Sequence, residues 1–198
     1  MNIPTIIAEV KTESPFGFRS PHSWDYLFNI ANEVGNIISV HTDPRWGGSL
    51  DLIKKARSLT SLPILAKGIH ATDDEIIDAA NAGASYILVV GRVPDPNAYR
   101  PYIYPNQVII EPTSISQLSS IVGYHHALWN SRDLDTGGFK AASFEQARDT
   151  WSGWLCQASH IRTVEDIKPY ADAVLVGEHL IEFAASVEEN TNKQKCTQ

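Results

Sequence analysis

Four ionisable side chains fall at or just past the ends of short apolar runs: Glu9 and Lys11 after the first run, Lys67 after the third, and Glu111 after the fifth. Asn130 follows the sixth run, with Arg132 two residues on. An ammonium and a carboxylate facing one pocket can hold different protonation states, which general acid–base catalysis requires. Charges aimed into a protein interior are costly unless paired or solvated by a ligand site. Internal Lys–Glu pairs without chemistry would satisfy the same charges, and for Glu9 the neighbouring Lys11 is the expected partner.

A second group lies late in the chain. Gly177-Glu178-His179-Leu180 closes the eighth run and opens a helical segment, and Ser159-His160 follows the seventh. A glycine there lets backbone approach an anion, and a helix N-terminus offers free N–H groups, so the spacing favours a phosphate seat. A tight turn would use the same glycine. His160 and His179 form no metal-ligand set with any other residues and read as polar surface or capping histidines. No metal is expected.

The elements that must place these residues are eight short β-rich runs: residues 4–10, 36–41, 63–66, 85–90, 107–110, 126–129, 154–157 and 173–176. They are continuously apolar, as parallel strands covered by helices are. Helical periodicity follows over residues 23–34 and 50–59. Capping boxes are read at Thr72/Glu75 and Ser114/Gln117, a further helix start at Thr163/Asp166, and a stop at Gly83. Residues 94–105 hold four prolines where a fourth helix would stand, and the sixth crossover has room only for a short one. Strands alternating with helices suit a closed barrel or a doubly wound sheet, and periodicity alone does not choose. No G-x-G-x-x-G follows the first strand, which counts against a dinucleotide fold. In a barrel, strand C-terminal ends surround one pocket, which would gather the residues above. The expected domain is residues 1–188, with 189–198 a polar, frayed tail.

The whole chain, 198 residues with net charge -7, carries no basic patch for nucleic acid and no apolar run of membrane-spanning length. No secretory signal opens it. Cys156 and Cys196 make neither a disulfide framework nor a metal quartet, and a cytoplasmic location is expected. The sequence assigns no oligomeric state.

Ile7-Ala8-Glu9-Val10-Lys11 with Ser14-Pro15 resembles the first-strand signature of the indole-3-glycerol phosphate synthase family, I-A-E-x-K-x-x-S-P. Thr42-Asp43 with Gly47-Gly48-Ser49, Leu62-Pro63-Ile64-Leu65-x-Lys67, Asn130-Ser131-Arg132-Asp133-Leu134 and Ala171 to Glu178 are similar to later family segments, in family order. The resemblance implies a single-domain (β/α)8 TIM barrel, shortened, without the family's N-terminal extension and with a degenerate fourth helix. It implies a carboxy-lyase of tryptophan, and so aromatic amino acid, biosynthesis. The implied small-molecule substrate is phosphorylated, 1-(o-carboxyphenylamino)-1-deoxyribulose 5-phosphate, and no cofactor is implied. By position, Lys67 matches the general acid, Glu111 the dehydration base, and Lys11 a substrate-contacting proton-transfer lysine. Glu9 and Asn130 match positioning residues, and Arg132 with Ser14 lies near the substrate carboxylate. Ser159, His160, Gly177 and Glu178 fall at the phosphate loops.

The sequence departs from that pattern in places. The family's E-S-G reads Ala158-Ser159-His160, removing a carboxylate and a phosphate-loop glycine. Gly68-Ile69 replaces an acidic and an aromatic residue, so an aromatic wall is expected to be lost and Lys67 to be the lysine most easily depressed in pKa. Two alternatives follow: a divergent barrel lyase or isomerase acting on another phosphorylated sugar or aminosugar, and a non-catalytic phosphate-ligand binding protein.

Overall fold

A computed structural model describes residues 3–195. Eight parallel strands close into a barrel in the order β1 to β8: Thr5–Val10, Ile37–His41, Ile64–Lys67, Tyr86–Val90, Val108–Glu111, His126–Asn130, Trp154–Ala158 and Ala173–Val176. Each expected strand is present, within one residue at either end.

The two-residue period of a strand decides what the barrel holds. In β1, Ile6, Ala8 and Val10 face outward into the helical layer, where they meet Leu27, Phe28, Ile53 and Phe183. Ile7 faces inward and packs with Leu65, Leu88, Ile109, Leu128, Cys156 and Leu175. One inward step further along the strands, the filling turns polar, with Glu9, Ser39, Lys67, Glu111 and Asn130. The strand register pairs Glu9 with Ser39, and His41 with Lys67. The apolar layer thus forms a floor and the polar layer a mouth at the strand C-termini.

The helices are α1 Trp24–Val34, α2 Leu50–Leu59, α3 Asp73–Asn81, α4 Pro96–Tyr99, α5 Ile115–Ser119, α6 Phe144–Thr150 and α7 Leu180–Lys195. Ser23, Ser49 and Ser143 cap theirs through side-chain oxygens, and Thr72 and Glu75 complete the expected reciprocal box. The other two expected helix starts are present but differ in detail. The Gln117 carboxamide accepts from Thr113 N–H at 2.7 Å rather than from Ser114, so that box is one-sided. The segment after Thr163 is one 3-10 turn, Val164–Asp166, with Asp166 accepting from the Arg162 and Thr163 N–H groups.

The proline segment forms only the four-residue α4. Buried Tyr99 and Ile103 anchor it, and the Tyr99 and Tyr124 hydroxyls meet at 2.5 Å, with Tyr124 donating to Pro94 O. The polar stretch from Glu189 does not fray at once; α7 continues through Lys195, and Cys196 lies outside the described residues. No helix among the described residues is long and apolar enough to cross a membrane.

Candidate active site

The mouth is built around Glu9. Its carboxylate is 2 % exposed, and one oxygen accepts from Lys67 Nζ at 2.7 Å. His41 Nε2 lies 2.8 Å from the same oxygen but off the line of a ring N–H hydrogen bond. Burial works against ionisation of Glu9, yet Lys67, His41 and Lys11 together hold its pKa well below the ordinary value.

Two expectations about the lysines are overturned. Lys67, despite Gly68 beside it, has its pKa raised: burial pushes it down, and Glu9 and Glu111 more than compensate. Of the two lysines lining the mouth, the depressed one is Lys11, lowered first by burial, with Lys67 adding to the effect. Nor is Lys11 the partner of Glu9. Its ammonium pairs with Glu178 Oε1 at 2.8 Å, and Arg132 pairs with Glu178 Oε2 at 2.9 Å. Sequence proximity suggested Lys11 because only the folded barrel brings Lys67, on β3, to Glu9, and Glu178, past β8, to Lys11.

Glu111, also 2 % exposed, accepts from Asn130 Nδ2 at 2.9 Å. Asn130 Oδ1 in turn accepts from Ser159 Oγ at 2.6 Å and from Arg132 N–H at 3.0 Å. The amide is therefore oriented from both ends, which fixes the Glu111 carboxylate.

Two adjoining clefts open here. One is lined by Lys11, Lys67, Glu111, Asn130, Arg132 and Ser159, with Phe16, His41, Trp46, Ile69, Leu88, Val90 and Leu134 as walls. The other shares Lys11, Lys67, Arg132 and Ser159 and adds Glu9, His160, Gly177, Glu178 and His179. Ser14 lines neither; its hydroxyl accepts from Phe16 N–H and shapes the turn that brings Phe16 to the mouth.

The glycines at this mouth are there for space. A Cβ at residue 177 would collide with the Glu9 carboxylate, and one at residue 68 with the Thr42 hydroxyl. Ser159 and His160 both adopt left-handed backbone, φ 68° and 56°, a conformation that disfavours side chains by about 1 kcal/mol each. His160 stacks on Phe139, with ring centroids 4.1 Å apart.

Sequence reasoning missed three site residues. His41 ends β2, so the strand-end rule that picked Lys67 would have found it. Burial lowers its pKa from the ordinary value, against the pull of Glu9. Phe16 and Trp46 come from loops and carry no periodic signal. His41 stacks on Trp46 at 5.8 Å, and Phe16 meets Trp46 edge-on at 6.5 Å. Ile69 lines the cleft where an aromatic wall was expected to be lost, and aromatic surface reaches the cleft from other loops.

The family model described as "Indole-3-glycerol phosphate synthase" matches residues 1–193. The indole-3-glycerol phosphate synthase of Pyrococcus abyssi is 28% identical over 196 residues, covering 89% of this chain and 85% of the relative. That of Oceanobacillus iheyensis is 29% identical over 194 residues, covering 88% and 74%. Among solved structures, a 3-hexulose-6-phosphate synthase matches with TM-score 0.61 at 14% identity, covering 93% of this chain and 97% of that one, a likeness of fold.

Proposed function

Because the chain belongs to the indole-3-glycerol phosphate synthase family, we propose that it is a carboxy-lyase of tryptophan biosynthesis, acting in the cytoplasm on 1-(o-carboxyphenylamino)-1-deoxyribulose 5-phosphate. It closes the ring and releases carbon dioxide and water, giving indole-3-glycerol phosphate. The observation that carries this reading is that Lys67 and Glu111, from β3 and β5, line one cleft, each held by a separate partner.

In this account the aromatic ring of the substrate lies against Phe16, Trp46 and Leu134. The ring carbon bearing the carboxylate attacks the ketone, and the Lys67 ammonium gives its proton to the carbonyl oxygen as that bond forms. Carbon dioxide then leaves, and its bonding electrons return to the ring. The new hydroxyl departs as water with a proton from the Lys11 ammonium, Lys67 having given its own. Glu111 accepts the proton lost as the final carbon–carbon double bond forms. Glu9 keeps Lys67 charged, and Asn130 holds Glu111. Lys11 and Arg132 form the cationic seat that meets the substrate's anionic groups, and the turns at Ser159–His160 and Gly177–Glu178 flank it at the phosphate. We take residues 1–188 as the barrel domain.

Indole fluorescence after incubation with this substrate tests the proposal, and absence of product at high protein concentration rejects it. Ala158 favours one second reading, a lyase or isomerase for another phosphorylated sugar, since that position carries no carboxylate. Thermal stabilisation by other sugar phosphates, with none from the indole precursor or product, would select it.

A further inference from the structure

The most unusual pairing at the mouth is Glu178 with two cations from different strand ends. One carboxylate oxygen meets Lys11 and the other Arg132, at 2.8 and 2.9 Å. Both cations line both clefts, so they are the groups that an anionic ligand entering the mouth would meet. A carboxylate bridging two cations has the shape and charge of such a ligand group. The facing charges are then balanced: Lys11, Lys67 and Arg132 stand against Glu9, Glu111 and Glu178.

We propose that Glu178 determines ligand specificity by occupying the anion seat of this site, so that a phosphorylated ligand binds only by displacing it from Lys11 and Arg132. The inference deepens the function proposed above and rests on it for phosphate as the ligand group. Three observations support displacement over a fixed structural bridge. Glu178 is less enclosed than Glu9, with 19% of its side chain exposed against 3%. It stands just before α7, outside the strands, where a rotamer change moves its carboxylate without disturbing the barrel. Lys11 and Arg132 keep other contacts when it leaves: Lys11 lies over the Phe18 ring at 5.6 Å, and Arg132 over Phe16 at 5.8 Å. A dianion beside an undisplaced Glu178 would be repelled, so the residue selects against phosphates that cannot compete for its two partners.

The test is the affinity of the whole chain for inorganic phosphate and glycerol 3-phosphate, measured by calorimetry in low-salt, phosphate-free buffer. E178Q keeps the size of the side chain and E178A removes it, and thermal melts verify that each is folded. Both are expected to bind each phosphate at least about tenfold more tightly than the unaltered protein. E182Q, which makes the same change in net charge on α7, is expected to show no such gain. Equal or weaker binding in E178Q and E178A would overturn the inference, since Glu178 would then be a bystander or a support for the two cations. An equal gain in E182Q would overturn it as well, by reducing the effect to net charge. Failure of the proposed reaction reads differently: neither the unaltered protein nor E178Q would turn over the indole precursor, whatever their phosphate affinities.

Discussion

Gly177 and Glu9 compete for one volume: the carboxylate of Glu9, from β1, fills the space that any side chain on residue 177 would need. The glycine at the end of β8 is therefore required by an ion pair inside the barrel, before any ligand is considered. Substituting Gly177→Ala should push Glu9 away from Lys67 and leave buried charge uncompensated. A loss of about 3 kcal/mol is expected, read as a lower urea midpoint at unchanged slope. An unchanged midpoint would show that Glu9 has another place to go.

The same ion pair sets an acid limit. Glu9 has a folded pKa well below its ordinary value of 4.5, because Lys67, His41 and Lys11 outweigh the burial that opposes ionisation. A carboxylate depressed on folding contributes stability that is present above its unfolded pKa and is lost as pH falls through the folded one. The stability of the unaltered protein to urea should therefore fall progressively as pH drops below about 4.5. E9Q should be less stable at pH 7 and show a shallower decline over that acid window. Parallel curves for the two proteins would exclude Glu9 as a source of the acid sensitivity.

The two mouth lysines should separate on titration. Burial depresses Lys11, while Glu9 and Glu111 hold Lys67 above its ordinary value. NMR of the lysine side chains should find Lys11 losing its proton at lower pH than Lys67. The reverse order would mean that Glu9 does not govern Lys67.

Much of this was legible in the sequence because the strands are short and apolar on both faces. Their C-terminal ends located Glu9, Lys67, Glu111 and Asn130 without knowledge of the register. The pairing among those residues was not legible. Lys11 is two residues from Glu9, yet it reaches Glu178, 167 residues away, because barrel closure sets β1 beside β8. Phe16 and Trp46 were invisible for a related reason: they stand on loops, where no period marks an inward side chain. Gly177 was singled out as a phosphate or turn glycine, and its crowding by Glu9 is a further reason that the sequence does not show. A glycine demanded by a neighbour's carboxylate looks, in sequence, the same as one demanded by a phosphate or a turn.

The central claim is that the Lys67 ammonium and the Glu111 carboxylate divide one reaction between them. Quenched single-turnover analysis of K67A and E111Q with the indole precursor, following carbon dioxide release and indole formation separately, tests it most directly. Both variants should lose about a thousandfold in the indole-forming rate with substrate affinity changed only a few-fold, and E111Q should release carbon dioxide without a matching yield of indole. Indole formation within a few-fold of the unaltered rate in either variant would contradict the assignment of acid and base.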